Sequence, residues 1–305
     1  MSPRRPVAWT SRASAGLIAI TLGAPACVVS VDHDGQIERV EKRFTVERTA
    51  ELRLTTFDGA IEVRSWDRPE VLVQIDKRGP DKESLATIDV TSDQKGDVIQ
   101  IEARHTSART RFVGLGFFVS ASAKIVASVP RNTNLVIRTG DGSIVLERVT
   151  GRADLHTKDG SIHVTETSGE LLAETGDGSV QMEDVSGRIE ARTGDGSIRL
   201  SGTPTSLRAR SGDGSIFLRI RSGAEMRDDW MVATGDGSIS VELPEGFTAQ
   251  IEADPGSDGR VRNDLKLANI VGGTRDKREF TGTLGQGGRR LSIRTGDGTI
   301  RLTGY

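Results

Sequence analysis

Apolar and polar residues alternate along most of this chain, and one short turn interrupts the alternation at fixed intervals. The turn reads Thr-Gly-Asp-Gly-Ser or a near variant. Its aspartate recurs at Asp141, Asp159, Asp177, Asp195 and Asp213, each 18 residues after the last, and returns after longer intervals at Asp236 and Asp297. Before each aspartate, apolar residues stand at the sixth and fourth positions, as in Leu135 and Ile137 or Leu207 and Ala209. After it they stand at the third and fifth, as in Ile144 and Leu146 or Ile216 and Leu218. The positions between vary among Arg, Glu, His, Gln and Ser. Such period-two alternation on both flanks of a turn predicts two half-buried strands per repeat. A fixed period near 20 residues predicts stacked coils.

The expectation is therefore an all-β fold, a single-stranded parallel β-solenoid with about 18 residues per coil. The crossover rule makes it a right-handed β-helix. One coil holds too few aliphatic side chains to offset the ordering of its own backbone, so the coils must stack to be stable. At each corner, Asp-Gly is expected to supply the φ > 0 positions of a tight turn. A second turn at Ser168-Gly169, Ser186-Gly187 and Ser222-Gly223 is expected to close the coil.

The same reading divides the chain. Residues 1–26 are expected to be a signal peptide, 27–42 a tether, 43–130 an N-terminal β cap with the first irregular coils, and 131–305 the regular solenoid with irregular coils at 246–288. Phe57 to Val63 has the form of a degenerate first corner. A cap is expected because an open stack end exposes unpaired strand edges. The apolar stretch Phe112 to Val129 contains Gly114, Gly116 and Lys124 and reads as a loop entering a strand.

Composition narrows the picture. The chain has 36 glycines but only 8 Phe, 3 Trp and 1 Tyr, which suits a thin interior of aliphatic side chains. Net charge is −2, with Lys and Arg spread evenly, so nucleic acid is not an expected partner. Cys27 is the one cysteine, which excludes an internal disulfide. It follows Arg4, Arg5, Arg12 and the small or apolar run Ala13 to Ala26, the pattern of an export signal. That run is shorter than the roughly 20 residues of a membrane span. Two cleavage readings remain open, beside an uncleaved anchor: Ala24-Pro25-Ala26 as an ordinary site, or Ala24-Pro25-Ala26-Cys27 as a lipobox with lipid on Cys27 and Ala24 where leucine is usual. The expected location is the bacterial envelope, lipid-anchored, or otherwise periplasmic or secreted.

Candidate chemistry is sparse. Stacking would place Asp141, Asp159, Asp177, Asp195 and Asp213 about 4.8 Å apart. Turn geometry alone accounts for them, and a calcium ladder is the alternative; no other cofactor is expected. Arg138, Arg192, Arg210 and Arg294, three residues before their aspartates, offer neutralisation without metal. His156 and His163 read as exposed structural residues, and Asp228-Asp229 as a solvated turn. There is no nucleophile elbow, zinc motif, phosphate loop or reactive thiol, so no catalytic residue is assigned. Val145 and Phe217 are outward apolar positions too scattered to define a patch.

Phe44-Thr45-Val46, Phe57-Asp58-Gly59-Ala60-Ile61-Glu62-Val63, Trp66 before Val71-Leu72-Val73, the run Val126 to Pro130 and the repeated corners together resemble the bacterial putative adhesin family, β-solenoid domains of unknown function. The likeness covers roughly residues 40 to 305. It implies a β-helix-like fold on exported or membrane-anchored chains and brings no catalytic residues with it. The function expected is that of a non-enzymatic, adhesin-like surface protein. Its partner would be an envelope or extracellular polysaccharide or protein, with the membrane reached through the lipid. The alternatives are a carbohydrate-active β-helix lyase or hydrolase, and a periplasmic scaffold or sensor.

Overall fold

The computed structural model describes residues 27–32, 35–106, 121–272 and 279–305. The expected signal peptide at 1–26 and the loop part of the Phe112 stretch lie outside them. The described chain is almost entirely strand, with one short helix at Lys82–Ala86. Asp81 caps that helix by accepting a hydrogen bond from the Ser84 backbone N–H at 2.7 Å.

Two parallel ladders carry the repeats, one on each side of the corners. The first runs through Thr133–Thr139, Thr150–Thr157 and Ser168–Thr175, and ends in Trp230–Thr234 and Arg290–Thr295. The second runs through Ile144–Glu147 and Ile162–Thr165, then Ile216–Ile220, Ile239–Leu243 and Thr299–Gly304. The long strands Val180–Thr193 and Ile198–Ser211 pass through both ladders. They join all strands into one 24-stranded sheet, barrel-like and nearly closed with a seam.

The 18-residue period explains the register. Ile144 pairs with Ile162, Ile162 with Val180, Val180 with Ile198 and Ile198 with Ile216, so each inward column stacks aliphatic on aliphatic. Every one of these side chains is at most 1% exposed, and they belong to one continuous core. Trp230 enters the Leu207 column, fully buried, and tilts against Phe247 at 5.7 Å between ring centroids.

Three expectations are corrected. First, the strands are mixed rather than all parallel. Antiparallel pairs close both ends: Gly35–Thr45 on Glu70–Gly79 and Ile88–Lys95 on Val98–His105 at one, Phe280–Leu284 on Ala249–Asp254 at the other. An antiparallel strand reaches its partner through a short turn and can finish a stack without another full coil. Second, residues 35–42, read as tether, are strand paired from Gln36↔Gly79 to Lys42↔Val73, with Val40 buried. Cys27–Asp32 pairs antiparallel with the same strand.

Third, the corner glycines do not serve positive φ. Of the glycines that follow the corner aspartates, only Gly59 at the degenerate first corner has a left-handed φ. They are required by close approach: a Cβ on Gly160 would stand 2.0 Å from the Gly142 carbonyl oxygen, and the contact recurs up the stack. Positive φ belongs to the second turn, where Arg148, Glu166 and Asp184 adopt φ of 58°, 51° and 56°, each followed three residues later by a glycine such as Gly169 at 124°.

Spatial order departs from chain order at both ends. Ala50–Thr56 and Ile61–Trp66 pack directly on the regular repeats, while the later strands Val98–His105 and Ser122–Pro130 lie outside them. At the other end, Arg290–Thr295 and Thr299–Gly304 insert between the Trp230 coil and the earlier strands Ala249–Asp254 and Arg260–Asn263. Tyr305, which stays half exposed, is thereby tied to the surface of the stack. Tyr305 donates its hydroxyl to the Ile220 carbonyl at 2.9 Å and its backbone N–H to the Leu243 carbonyl at 3.2 Å.

Candidate binding face

The corner column is built from a buried hydroxyl and an exposed carboxylate. The alternation that buries the sixth and fourth residues before each aspartate also buries the second, which is always Thr or Ser. Thr157, Thr175, Thr193 and Ser211 each donate to the carbonyl of the preceding corner's second glycine, at 2.7–2.9 Å. Thr157, Thr193 and Ser211 also accept from their own corner's glycine N–H at 3.0–3.2 Å. The period-two signal in the sequence extends to this inward column of hydroxyls.

The aspartates themselves are exposed. Lys158, which replaces the first corner glycine, lies 3.2 Å from Asp159. Its ammonium pKa is raised above the ordinary value by the hydrogen bond and charge of Asp159, with Asp141 and Asp177 adding to it. The arginines expected to neutralise the column do something else where a partner is seen: Arg192 pairs with Glu190 on its own strand. Among the described residues, no group of three or more His, Cys, Asp or Glu converges as a metal site requires. His156 stands 4.0 Å from Glu174 on the next rung, and the outward His163 has Gln181 beside it. Asp228 pairs with Arg188 at 3.0 Å, and Asp229 accepts from the Arg290 backbone N–H at 3.0 Å. Cys27 is placed by its backbone alone, opposite Val40 at the outer edge of the second ladder.

An open cleft of about 780 Å³ lies between the turns at 223–226, 244–248 and 287–289. Glycine and backbone supply much of its wall, and its charged side chains are Glu225, Glu245 and Arg289. The outer face of the second ladder is chemically richer. Two hollows, of about 330 and 650 Å³, share Arg199 and Phe217. The outward position four residues after each aspartate reads Val145, His163, Gln181, Arg199, Phe217, Ser240 and Arg301 on successive rungs, and Arg262 lies in register beyond. Arg199 lays its guanidinium 4.9 Å from the Phe217 ring centroid, and Arg219 lies 4.6 Å from that of Tyr305. Arg219 also pairs with Glu242 at 3.7 Å, while Arg221 pairs with Asp184 and donates to the Ser201 hydroxyl at 3.1 Å. Arg199, Arg262 and Arg301 are exposed, and no carboxylate pairs with them among the described residues.

Phe217, read from the sequence as an isolated outlier, is thus the centre of an aromatic and arginine cluster. Reading the outward column down the stack finds Arg199 and Arg301. Nothing in the sequence places Tyr305 beside them, because that contact depends on the insertion of the last strand.

The model of the Toastrack DUF4097 family matches residues 49–303. The chain belongs to this family. No match is found among curated proteins. Solved structures that align with the chain include a putative adhesin from Bacteroides fragilis, at 15% identity and TM-score 0.40, covering 87% of this chain and 96% of that one. A putative adhesin from Parabacteroides distasonis aligns at 13% identity and TM-score 0.42, covering 88% and 98%. A putative lipid binding protein from the same organism aligns at 12% identity and TM-score 0.32, covering 87% and 96%.

Proposed function

We propose that this Toastrack chain is a non-enzymatic envelope or cell-surface protein that presents a rigid, adhesin-like binding surface. On this reading the two ladders are the faces of a right-handed β-solenoid with coils of about 18 residues, consistent with the parallel register of the repeats and the crossover rule. The chain is exported and held at the membrane by lipid on Cys27. The observation that carries the reading is the exposed cluster of Arg199, Phe217, Arg219 and Tyr305 on a scaffold whose strands are hydrogen-bonded on both sides. Rigid strands hold side chains for recognition more accurately than loops do.

The test is to incubate residues 27–305 with a panel of envelope and extracellular polysaccharides, with calcium and with chelator. Both retention of the protein and the appearance of new sugar ends are read. Retention without cleavage is the expected result. New sugar ends would replace the binder with a carbohydrate-active enzyme, and neither signal would direct the search to a protein partner in the envelope. Separately, Cys27→Ser should release the full chain from the membrane fraction; continued retention would sink the lipid tether.

A further inference from the structure

Resting on that binding role, we infer that the groove over Arg199, Phe217, Ser240 and Arg301 takes an extended anionic polysaccharide, one carrying carboxylate or sulfate groups along its length. The first argument is charge. The whole chain is slightly acidic, at −2, yet Arg199, Arg301 and Arg262 face outward in one row with no carboxylate paired to them among the described residues. Of the acids nearest the hollows, Glu242 is engaged with Arg219, Asp184 with Arg221, and Glu183 by accepting from Gln181 at 2.7 Å. The exposed corner aspartates Asp195, Asp213, Asp236 and Asp297 stand two residues before the lining hydroxyls and bound the groove on its corner side. Guanidinium groups bind carboxylates and sulfates through paired, charge-assisted hydrogen bonds.

The second argument is spacing. Arg199 and Arg301 lie three rungs apart and Arg262 one rung further, which at about 4.8 Å per rung spreads them over roughly 14 to 19 Å. A single phosphate or headgroup does not bridge that distance, whereas a linear polyanion does. The third is preorganisation. The phenyl ring of Phe217 supports the Arg199 guanidinium, so less side-chain freedom is lost when an anion binds.

The lining then selects a sugar over a peptide. Ser197, Ser215, Ser238, Ser240 and Thr299 line the smaller hollow and offer hydroxyls to a hydroxyl-rich ligand. The strands beneath, Ile216–Ile220 and Ile239–Leu243, are paired on both sides. An extended peptide therefore finds no free edge to join, and main-chain pairing is the usual source of its affinity.

The test measures binding of residues 27–305 by affinity electrophoresis and titration calorimetry against two matched pairs: polygalacturonate with its methyl ester, and dextran sulfate with dextran. Anionic phospholipid vesicles and single-stranded DNA are separate arms. The expected result is binding to the acidic member of at least one pair, at least tenfold tighter than to its neutral partner. Arg199→Gln/Arg301→Gln should weaken that binding about 100-fold, two tenfold steps for two charged contacts, with an unchanged melting temperature. Phe217→Leu should weaken it less. Equal binding to neutral and acidic members, or binding to neutral members only, overturns the anionic assignment and leaves the binder reading standing. Full affinity in the double variant overturns the groove as the site. Stronger capture by vesicles or DNA replaces the sugar with those ligands, and no binding to any arm refutes the inference and removes carbohydrate from the binder reading as well.

Discussion

Thr193→Val isolates the buried hydroxyl ladder that spans the corners. The substitution keeps the shape of the side chain and removes one hydroxyl that is almost fully buried. That hydroxyl donates toward the Gly178 carbonyl at 2.7 Å and the Gly176 carbonyl at 3.2 Å, and accepts from the Gly196 N–H at 3.2 Å. A net hydrogen bond is worth about 1 kcal/mol, and a buried polar group left without a partner costs about 1–3 kcal/mol. Loss of the donated bond with partial orphaning of the Gly196 N–H gives an expected cost of about 2–4 kcal/mol. Thr193→Ser is the control, because it keeps the hydroxyl and loses one methyl, worth about 0.8 kcal/mol. Ser211 already fills the equivalent place in the next coil, donating to the Gly196 carbonyl and accepting from the Gly214 N–H. The assay is equilibrium urea unfolding followed by circular dichroism and fluorescence, with hydrogen exchange at Gly196 as a local reading. Valine should lower the midpoint clearly more than serine. A serine variant as destabilised as valine, or a valine variant equal to wild type, would refute the hydroxyl argument and leave methyl packing as the role of the column.

Gly196→Ala should destabilise by about 1–3 kcal/mol through overpacking, since its Cβ would lie 2.0 Å from the Gly178 carbonyl oxygen; an unchanged urea midpoint would show that the corner relaxes freely. Asp76 has its carboxyl pKa lowered below the ordinary 3.8, chiefly by hydrogen bonds from Arg39, against the opposing effect of burial. A depressed carboxyl contributes stability above its unfolded pKa and loses it as pH falls through its folded one. The stability gap between wild type and Asp76→Asn should therefore be full near neutrality and vanish in strong acid, and a gap independent of pH would contradict this. Millimolar calcium should leave the wild-type melting temperature unchanged, because Lys158 already sits among Asp141, Asp159 and Asp177. A calcium-dependent rise in wild type would refute that. A rise confined to Lys158→Gly would identify the lysine as the group that replaces a cation.

The repeat, its two strands and its inward columns were legible in the sequence. The side-chain period of a strand is two, and the 18-residue spacing puts each residue over its equivalent in the next coil. Leu135, Ile137, Ile144 and Leu146 are buried as their alternation requires. Local pattern also located the second turn at Gly169 and Gly187, though it assigned positive φ to the wrong corner. The need for glycine at Gly160 arises from the Gly142 carbonyl of another coil, and no turn rule within one segment contains that contact.

The ends and the binding face were decided by tertiary structure. Strand pairing at the ends is antiparallel and non-sequential, and it follows from which edges remain open once the regular coils have stacked. That is why residues 35–42 join the sheet although nothing periodic marks them. It is also why the last strand inserts inside an earlier one and carries Tyr305 to Arg219, 86 positions away in the chain, forming half of the aromatic and arginine cluster. The 18-residue period determined the columns within the stack; contacts between segments of unrelated sequence determined how the stack is closed and which side chains meet on its surface.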